Sequence, residues 1–426
     1  MNCLPKRPGL IFRLLVAGVL VFFAYGWQSL ELNRRQQKSE GFTADRPSHF
    51  GVVEAWVDYQ ESQNLGFEIV RRFIPWGRIE PQRGKFDWNW LDYDVSMIHK
   101  YGFDVLLILL PFADWDQALC RPGAKLKGPP CDMEAYRAFA RALVERYDGD
   151  GFSDMPGLAR GIHFWEIFNE PALPAGVEGY DVPVEAYLEL LEATYPIIKE
   201  SCPSCEALQG GEAGVTSETV GYIEKYLSLG AADYFDIANV HFIHATFFDE
   251  TLFAEQFTGL LARYQIKKPV WITEVQIQGG PGAAEPYFTE EQAASEMVKA
   301  YVRAFGVGIE RIFYTVIKES PLFPAIMNRA ALIDSAGRKR ALYYSMKTMI
   351  SQLKAFESVK VLSPGTYKFN TPGKPVYVLW GSGGVPSEIT GVVKVVGIDG
   401  IPAIRGALSI ALSRDPIFVT MISRRH

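Results

Sequence analysis

"FWEIFNEP", running from Phe164 to Pro171, is the stretch on which the fold turns. Phe164, Trp165 and Ile167 are bulky and apolar, as in a strand covered on both faces. Yet the run ends in Asn169 and Glu170 before a proline stop. A core strand with an amide and an acid at its tip calls for a fold whose strand ends open onto a site. By strand parity Glu170 shares a face with Phe168, Glu166 and Phe164, which points it inward if no bulge intervenes. Glu166 then also faces the interior and needs a partner.

Seven further apolar runs surround this one: "HFGVVEA", "EIVRRFI", "DVLLILLP", "EALQGG", "IANVHFIH", "PVWITEV" and "RIFYTVI". Helical patterns separate them. The clearest covers Met133–Tyr147, where Tyr136, Phe139, Ala140, Leu143, Val144 and Tyr147 fall on one helix face. Others cover Leu91–Tyr101, Val184–Glu200, Glu218–Leu229, Glu290–Phe305 and Ala341–Leu353. Eight strands, nearly all followed by a helix, is the count of a (β/α)₈ TIM barrel, whose active sites lie at the C-terminal strand ends. A doubly wound sheet usually has fewer strands and a glycine-rich loop after the first, and neither fits. The barrel is expected over 47–356.

After about Glu357 the texture changes to short β runs broken by Gly, Pro, Asn and Asp: "VKVLS", "GTYKFN", "PVYVLWG", "GVVKVVG" and "PIFVTMI". A small β domain, sandwich-like, is expected over 357–426. At that size it packs against the barrel rather than standing free.

A second acid repeats the opening pattern. "VWITE", Val270–Glu274, is an apolar strand with a carboxylate at its end, and parity groups Val270, Ile272 and Glu274 on one face. Trp271 then points outward, toward the helices. Glu170 and Glu274 end the fourth and seventh strands. Across a barrel mouth they come within reach of one glycosidic bond, and a spacing of about 5–5.5 Å implies a retaining mechanism.

Bulk properties narrow the function. The net charge is −6 with no basic stripe, which argues against a nucleic-acid partner. Six histidines and no "HxH" on the first strand argue against a metal-dependent hydrolase. At the N-terminus Lys6, Arg7 and Arg13 precede an apolar run from Leu14 to Trp27, the pattern of an export signal. Residues 1–28 read as a cleaved signal peptide or as an uncleaved membrane anchor with its arginines on the cytoplasmic side. Residues 29–46 read as a polar linker. Either way the remainder is expected outside the cytoplasm: periplasmic, extracellular or held at the membrane.

Export changes the meaning of the cysteines. Cys120, Cys131, Cys202 and Cys205 are four in an oxidising compartment, and the simplest pairing joins Cys120 to Cys131 and Cys202 to Cys205. "CPSC" as a redox or metal pair lacks supporting context.

Over about Phe50–Leu353 the chain resembles glycoside hydrolases of clan A. "IVRRFIPWGRIEPQRGKFDWNWLD" is similar to that clan's second strand and following loop, "WEIFNEP" to its acid/base motif, "ANVHFIH" to its sixth strand and "WITE" to its nucleophile strand. Family 39 and its relatives, which carry a small β domain beside the barrel, are the nearest in flavour. The resemblance implies Glu170 as general acid/base and Glu274 as nucleophile. It implies Arg71 as the cation that keeps the nucleophile ionised, with Arg72 pointing the other way. It also implies Asn169 on a sugar hydroxyl and His241 near the acid pair.

Two features depart from the clan. A tyrosine that commonly follows the sixth-strand histidine is replaced by Phe242, Ile243 and His244, so His244 becomes the candidate for its contact. The eighth strand lacks the usual tryptophan, and Tyr314 is the candidate stand-in. Trp76, Trp115 and Trp380 are candidate sugar-stacking rings, with packing as the alternative. Arg121, Lys125 and Lys127 in the loop after the third strand offer charge for an acidic glycan, with a solvated loop as the alternative.

The expectation is thus a retaining glycoside hydrolase acting on a polysaccharide or oligosaccharide of the cell envelope or exterior, with no metal or organic cofactor. A noncatalytic glycan-binding or scaffold protein on the same barrel is the alternative, and two intact glutamates weigh against it.

Overall fold

The computed structural model describes residues 49–174, 179–243, 248–280 and 288–422. The N-terminal segment, the linker and His244 lie outside the described residues. Arg46–Gly149 and Ser153–His426 form one compact unit, to which everything below refers.

Eight parallel strands build the sheet: β1 (Phe50–Val52), β2 (Ile69–Pro75), β3 (Asp104–Leu110), β4 (Phe164–Ile167), β5 (Glu206–Gln209), β6 (Ala238–Phe242), β7 (Val270–Val275) and β8 (Arg311–Tyr314). Their order is β5-β4-β3-β2-β1-β8-β7-β6. The edges of β5 and β6 meet through two parallel bridges, Leu208 with Ile237 and Glu212 with Val240, so the ring nearly closes. All eight coincide with the apolar runs read from sequence.

Inside the ring, Val53, Ile69, Leu106, Phe164, Leu208, Ile237, Trp271 and Phe313 form one buried cluster. A second, larger core lies between strands and helices. The helices over Met133–Tyr147 and Ala341–Leu353 have the expected bounds. Asp132 caps the former by accepting from Ala135 N at 3.0 Å. Thr289 and Gln292 form a capping box at the start of Glu290–Val307. Shorter helices at Tyr59–Leu65, Trp76–Ile79, Asp114–Cys120, Ala254–Arg263 and Ala325–Asn328 escaped the sequence reading. Most span two turns or fewer, too few residues to establish a helical period.

The C-terminal strands are β9 (Ser358–Ser363), β10 (Thr366–Asn370), β11 (Val376–Leu379), β12 (Val392–Gly397), β13 (Pro402–Gly406) and β14 (Ile417–Met421). They make a single antiparallel sheet in the order β13-β12-β14-β11-β10-β9, not two stacked sheets. A second sheet is not needed, because one face packs on the barrel. Phe369, Val376, Val378 and Phe418 join the outer core of the barrel, while Tyr377, Leu379, Val393 and Val419 form a separate cluster on the other face. Phe369 meets Phe305 of the Glu290–Val307 helix edge-on, with centroids 6.4 Å apart. Burying that one ring contributes about 1.5–3 kcal/mol.

Among the described residues no helix is long and apolar enough to cross a membrane. Cys120–Cys131 and Cys202–Cys205 are both disulfide-bonded.

Candidate active site

Arg71 is the centre of the barrel mouth. It projects inward from β2 and is fully buried. Its Nε donates to Glu166 Oε2 at 2.7 Å and its Nη2 to Glu166 Oε1 at 2.7 Å. That fork supplies the partner that the inward-facing Glu166 requires. Nη2 also donates to Asn169 Oδ1 at 2.8 Å, and Nη1 donates to Glu274 Oε1. Burial opposes the charge on Arg71, but Glu166 and Glu274 outweigh it and hold the guanidinium above its ordinary range. Arg72, on the opposite face, pairs with Asp94. One cation thus links both acid-bearing strands, β4 and β7.

Neither acid arrives by simple strand parity. Phe164 and Glu166 point into the barrel, but Phe168 has φ 77° and packs in the outer core against Phe112 and Tyr180. Glu170 itself has φ 49°. Two left-handed residues in succession of three replace the pleat at the strand tip, and Glu170 N donates to Gly211 O at 2.9 Å beyond β5. Backbone of this kind costs about 1–3 kcal/mol per residue and clusters at functional sites.

On β7 the expectation for Trp271 is reversed. Trp271 lies inside the ring, 5.0 Å from the Phe164 centroid, and Ile272 lies outside it. The register slips between Val240 and His241 on one side and between Ile272 and Val275 on the other. The extra residue is a β-bulge, which re-aims the side chains beyond it. Both Thr273 and Glu274 therefore reach the site.

His241 joins the acids. Its Nδ1 lies 2.8 Å from Glu170 Oε1 and 3.9 Å from Glu274 Oε1. One carboxylate oxygen from each glutamate and a ring nitrogen of His241 all lie within 4.8 Å of one another. Burial, and then Arg71, push the imidazole well below its usual range, so His241 is neutral. The approach of His241 to β5 requires a glycine. A Cβ on Gly211 would fall 1.9 Å from His241 Nε2. The same three side chains have donor atoms close enough for a cation, but Arg71 already supplies positive charge to Glu274. The cluster of His163, Cys202 and Cys205 has both sulfurs in a disulfide.

Asn169 is buried, and with its Oδ1 taken by Arg71 its Nδ2 is left as a donor. Tyr314 does not serve as a floor for a sugar. It faces the outer core, and its hydroxyl donates to Ala330 O at 2.6 Å. Phe313 and Thr315 take the inward positions instead, as alternation requires.

Trp115 is partly buried on the Asp114–Cys120 helix after β3, its indole N–H given to Glu80 O at 2.8 Å and its ring set edge-on to Trp76. Trp76 is fully buried, and Trp380 stacks on Tyr367 in the C-terminal sheet, so neither is a free sugar platform. In the loop after β3, Arg121 donates to Pro129 O at 2.8 Å and Lys127 pairs with Asp114 at 3.4 Å.

Sequence reasoning missed four polar residues here. Thr273 and Asn239 hydrogen-bond behind His241. Glu54, just past β1, accepts from Thr315 Oγ1 at 2.6 Å, and burial raises its carboxyl to about 8, with Glu274 adding to the rise. Glu212, just past β5, is fully buried and likewise raised to about 8 by burial. Thr273, Glu54 and Glu212 stand near or just past a barrel strand's C-terminal end, the one signal that marks them, whereas Asn239 lies near the start of β6 and carries none.

Comparison with known proteins accords with this architecture. A family model described as beta-galactosidase, of glycoside hydrolase family 42, matches residues 47–109. A beta-galactosidase of Halorubrum lacusprofundi is 29% identical over 140 residues, covering 29% of this chain and 19% of that protein. The chain thus spans about a fifth of that relative's length. A family 39 glycoside hydrolase from the gut symbiont Bacteroides cellulosilyticus superposes with TM-score 0.65 at 17% identity, over 88% of this chain and 81% of that one. A monomeric beta-xylosidase from Caulobacter crescentus gives TM-score 0.57 at 14% identity, over 88% and 98%. In fold, this chain resembles the clan A glycoside hydrolases, family 39 among them.

Proposed function

We propose that the chain is a retaining glycoside hydrolase, with Glu274 as nucleophile and Glu170 as general acid/base. The observation that carries this reading is the closeness of the two carboxylates, with oxygens within 4.8 Å beside His241. Inverting enzymes need about 6.5–9.5 Å to admit a water between the acids, whereas retaining ones need about 5–5.5 Å. Glu274 attacks the anomeric carbon while Glu170 gives its proton to the departing glycosidic oxygen. Water then enters where the leaving group was; Glu170 takes its proton, and the glycosyl–Glu274 ester breaks. Arg71 favours the ionised nucleophile, and the free Nδ2 of Asn169 is available to a sugar hydroxyl whose hydrogen bond strengthens as the oxocarbenium-like charge develops.

The substrate on this reading is an O-glycoside of an extracellular or cell-envelope glycan. Two disulfides support export, since such bridges persist in oxidising compartments. The similarity to a beta-galactosidase and a beta-xylosidase makes galactosides and xylosides the first substrates for trial.

The test is reducing-sugar release from a panel of polysaccharides and aryl glycosides. Wild type turns over at least one member, and Glu274→Gln loses both turnover and covalent labelling by the matching 2-fluoro glycoside. Glu170→Gln loses activity on poor leaving groups far more than on activated aryl glycosides. Glycan binding without turnover by the wild type would replace this reading with a noncatalytic one.

A further inference from the structure

Three hydrogen bonds run in line behind the acid. Thr273 Oγ1 donates to Asn239 Oδ1 at 2.9 Å, His241 Nε2 lies 2.9 Å from the same Thr273 oxygen, and His241 Nδ1 lies 2.8 Å from Glu170 Oε1. Thr273, Asn239 and His241 are all fully buried.

With the Asn239 amide turned so that its Oδ1 faces Thr273, the proton count along this chain is closed. A hydroxyl has one proton, and Thr273 gives it to Asn239. Thr273 Oγ1 can then only accept, so His241 Nε2 carries the ring proton. His241 is neutral, which leaves Nδ1 as a bare lone pair. A carboxylate oxygen 2.8 Å from a bare nitrogen sets two lone pairs against each other, unless Glu170 itself carries a proton and donates it.

We infer that Thr273 and Asn239 are positioning residues that fix the His241 tautomer and thereby hold the catalytic proton on Glu170. The inference rests on the acid role proposed for Glu170. Reversing the chain, with Nδ1–H donating to Glu170, would stabilise the carboxylate form instead. The amide of Asn239 therefore selects between the acid and base states of Glu170 from two residues away. Other charged and titratable groups of this cluster are Glu274 on β7, Arg71 on β2, Glu166 on β4, Glu54 past β1 and Glu212 past β5. Glu274 also favours the proton on Glu170, Arg71 opposes it, and neither dictates the tautomer of His241.

The bulge on β7 makes this arrangement possible. Without the extra residue, Thr273 and Glu274 would alternate across the strand, and only one of them would face β6.

The first test needs no variant. In protein labelled with ¹⁵N-histidine, with the His241 signals assigned by their loss in His241→Gln, the neutral ring is expected as the Nε2–H tautomer with Nδ1 unprotonated. A ring protonated at Nδ1 overturns the proposal even if the protein proves to be a glycosidase. The Nε2–H tautomer is expected even if no substrate is found, so the two readings fail separately. In the active enzyme, Thr273→Val and Asn239→Leu both lower the alkaline limb of the kcat/KM profile, by on the order of one pH unit. Thr273→Ser restores it. Variants that lose kcat with that limb unmoved would make the chain structural only.

Discussion

Arg71 and Arg311 sit near opposite ends of the same barrel and are held by opposite means. At the mouth, Arg71 spends its N–H groups on Glu166, Glu274 and Asn169. At the floor, Arg311 begins β8 with its guanidinium carbon 4.5 Å from the Phe164 ring centroid and 4.3 Å from that of Trp271. Burial pulls Arg311 down to about 10, with Glu206, Asp104, Glu310 and Glu68 opposing the fall. At Arg71 the carboxylates overcome burial altogether. The backbone differs in the same sense. The floor strands keep their pleat, whereas the mouth carries left-handed Phe168 and Glu170 and the bulge in β7. The floor is built from aromatic and aliphatic packing. The mouth gives up part of that stability to hold polar groups in a strained geometry.

The largest expected effect sets these arginines against each other. Arg71→Met strands Glu166 and Glu274 without their cation, so it lowers stability by about 3–5 kcal/mol. It also lowers kcat/KM by about 10³-fold through lost electrostatic support. Arg311→Met keeps the stack on Phe164 and Trp271 and loses cation–π attraction, about 0.5–2 kcal/mol, together with the weaker pull of Glu206, Asp104, Glu310 and Glu68. Its kcat/KM stays at the wild-type value. Denaturant unfolding and steady-state kinetics on both variants check the contrast, and a silent Arg71→Met would break it.

A second pair compares glycines. Gly211→Ala at the mouth drives a methyl into His241, whose displacement costs about 10²-fold in kcat, as misplaced groups by about 1 Å do. Gly51→Ala, on β1, drives a methyl to within 2.2 Å of the Phe313 ring inside the barrel. The latter costs about 1–3 kcal/mol of stability by overpacking and leaves the chemistry unaffected. Kinetics paired with thermal melts separates the two.

The third contrast is one of pH. Glu54 is raised from 4.5 to about 8, mainly by burial. Below about 4.5 both folded and unfolded chains hold its proton. Between about 4.5 and 8 only the unfolded chain ionises, so stability falls as pH rises, and above about 8 the loss is complete. Glu54→Gln removes that slope, and its advantage over wild type grows across the window to on the order of 3–5 kcal/mol. Glu206→Gln at the start of β5 changes the slope in the same sense but less, because burial raises that carboxyl less than it raises Glu54. Melts at three pH values across the window suffice.

The floor was legible in the sequence and much of the mouth was not, for one physical reason. Apolar runs bounded by turn residues locate strands whatever the local register, so all eight were found. Side-chain direction within a strand depends on an unbroken period of two. Parity therefore read Glu166 correctly and Trp271 wrongly, since the bulge and the left-handed tip lie beyond reach of a single sequence. Glu170, Glu274, Arg71, Asn169 and His241, which a resemblance marked, do come together at the mouth. Thr273, Asn239, Glu54 and Glu212 carry no such mark. Tyr314 was misread as a sugar platform because its strand faces Phe313 inward, and an aromatic residue at the adjacent position looks the same in composition.

The disulfides give the smallest and most local version of the comparison. Cys120–Cys131 closes a loop of 11 residues beyond β3, at the mouth, and Cys202–Cys205 closes one of 3 just before β5, at the floor. Chain-entropy arithmetic assigns about 3 kcal/mol to the former and about 1.5 kcal/mol to the latter. Cys205 is also buried, with its sulfur 3.3 Å from Ile162 O, so replacing both floor cysteines by serine adds a desolvation cost that alanine avoids. With paired alanine substitutions, opening the mouth bridge should lower Tm more than opening the floor bridge. It should also raise KM, because the loop it closes follows β3 at the mouth and its Lys127 ties back to Asp114. A floor variant that raised KM equally would mean that strain passes through the barrel from end to end, and the division between floor and mouth would fail.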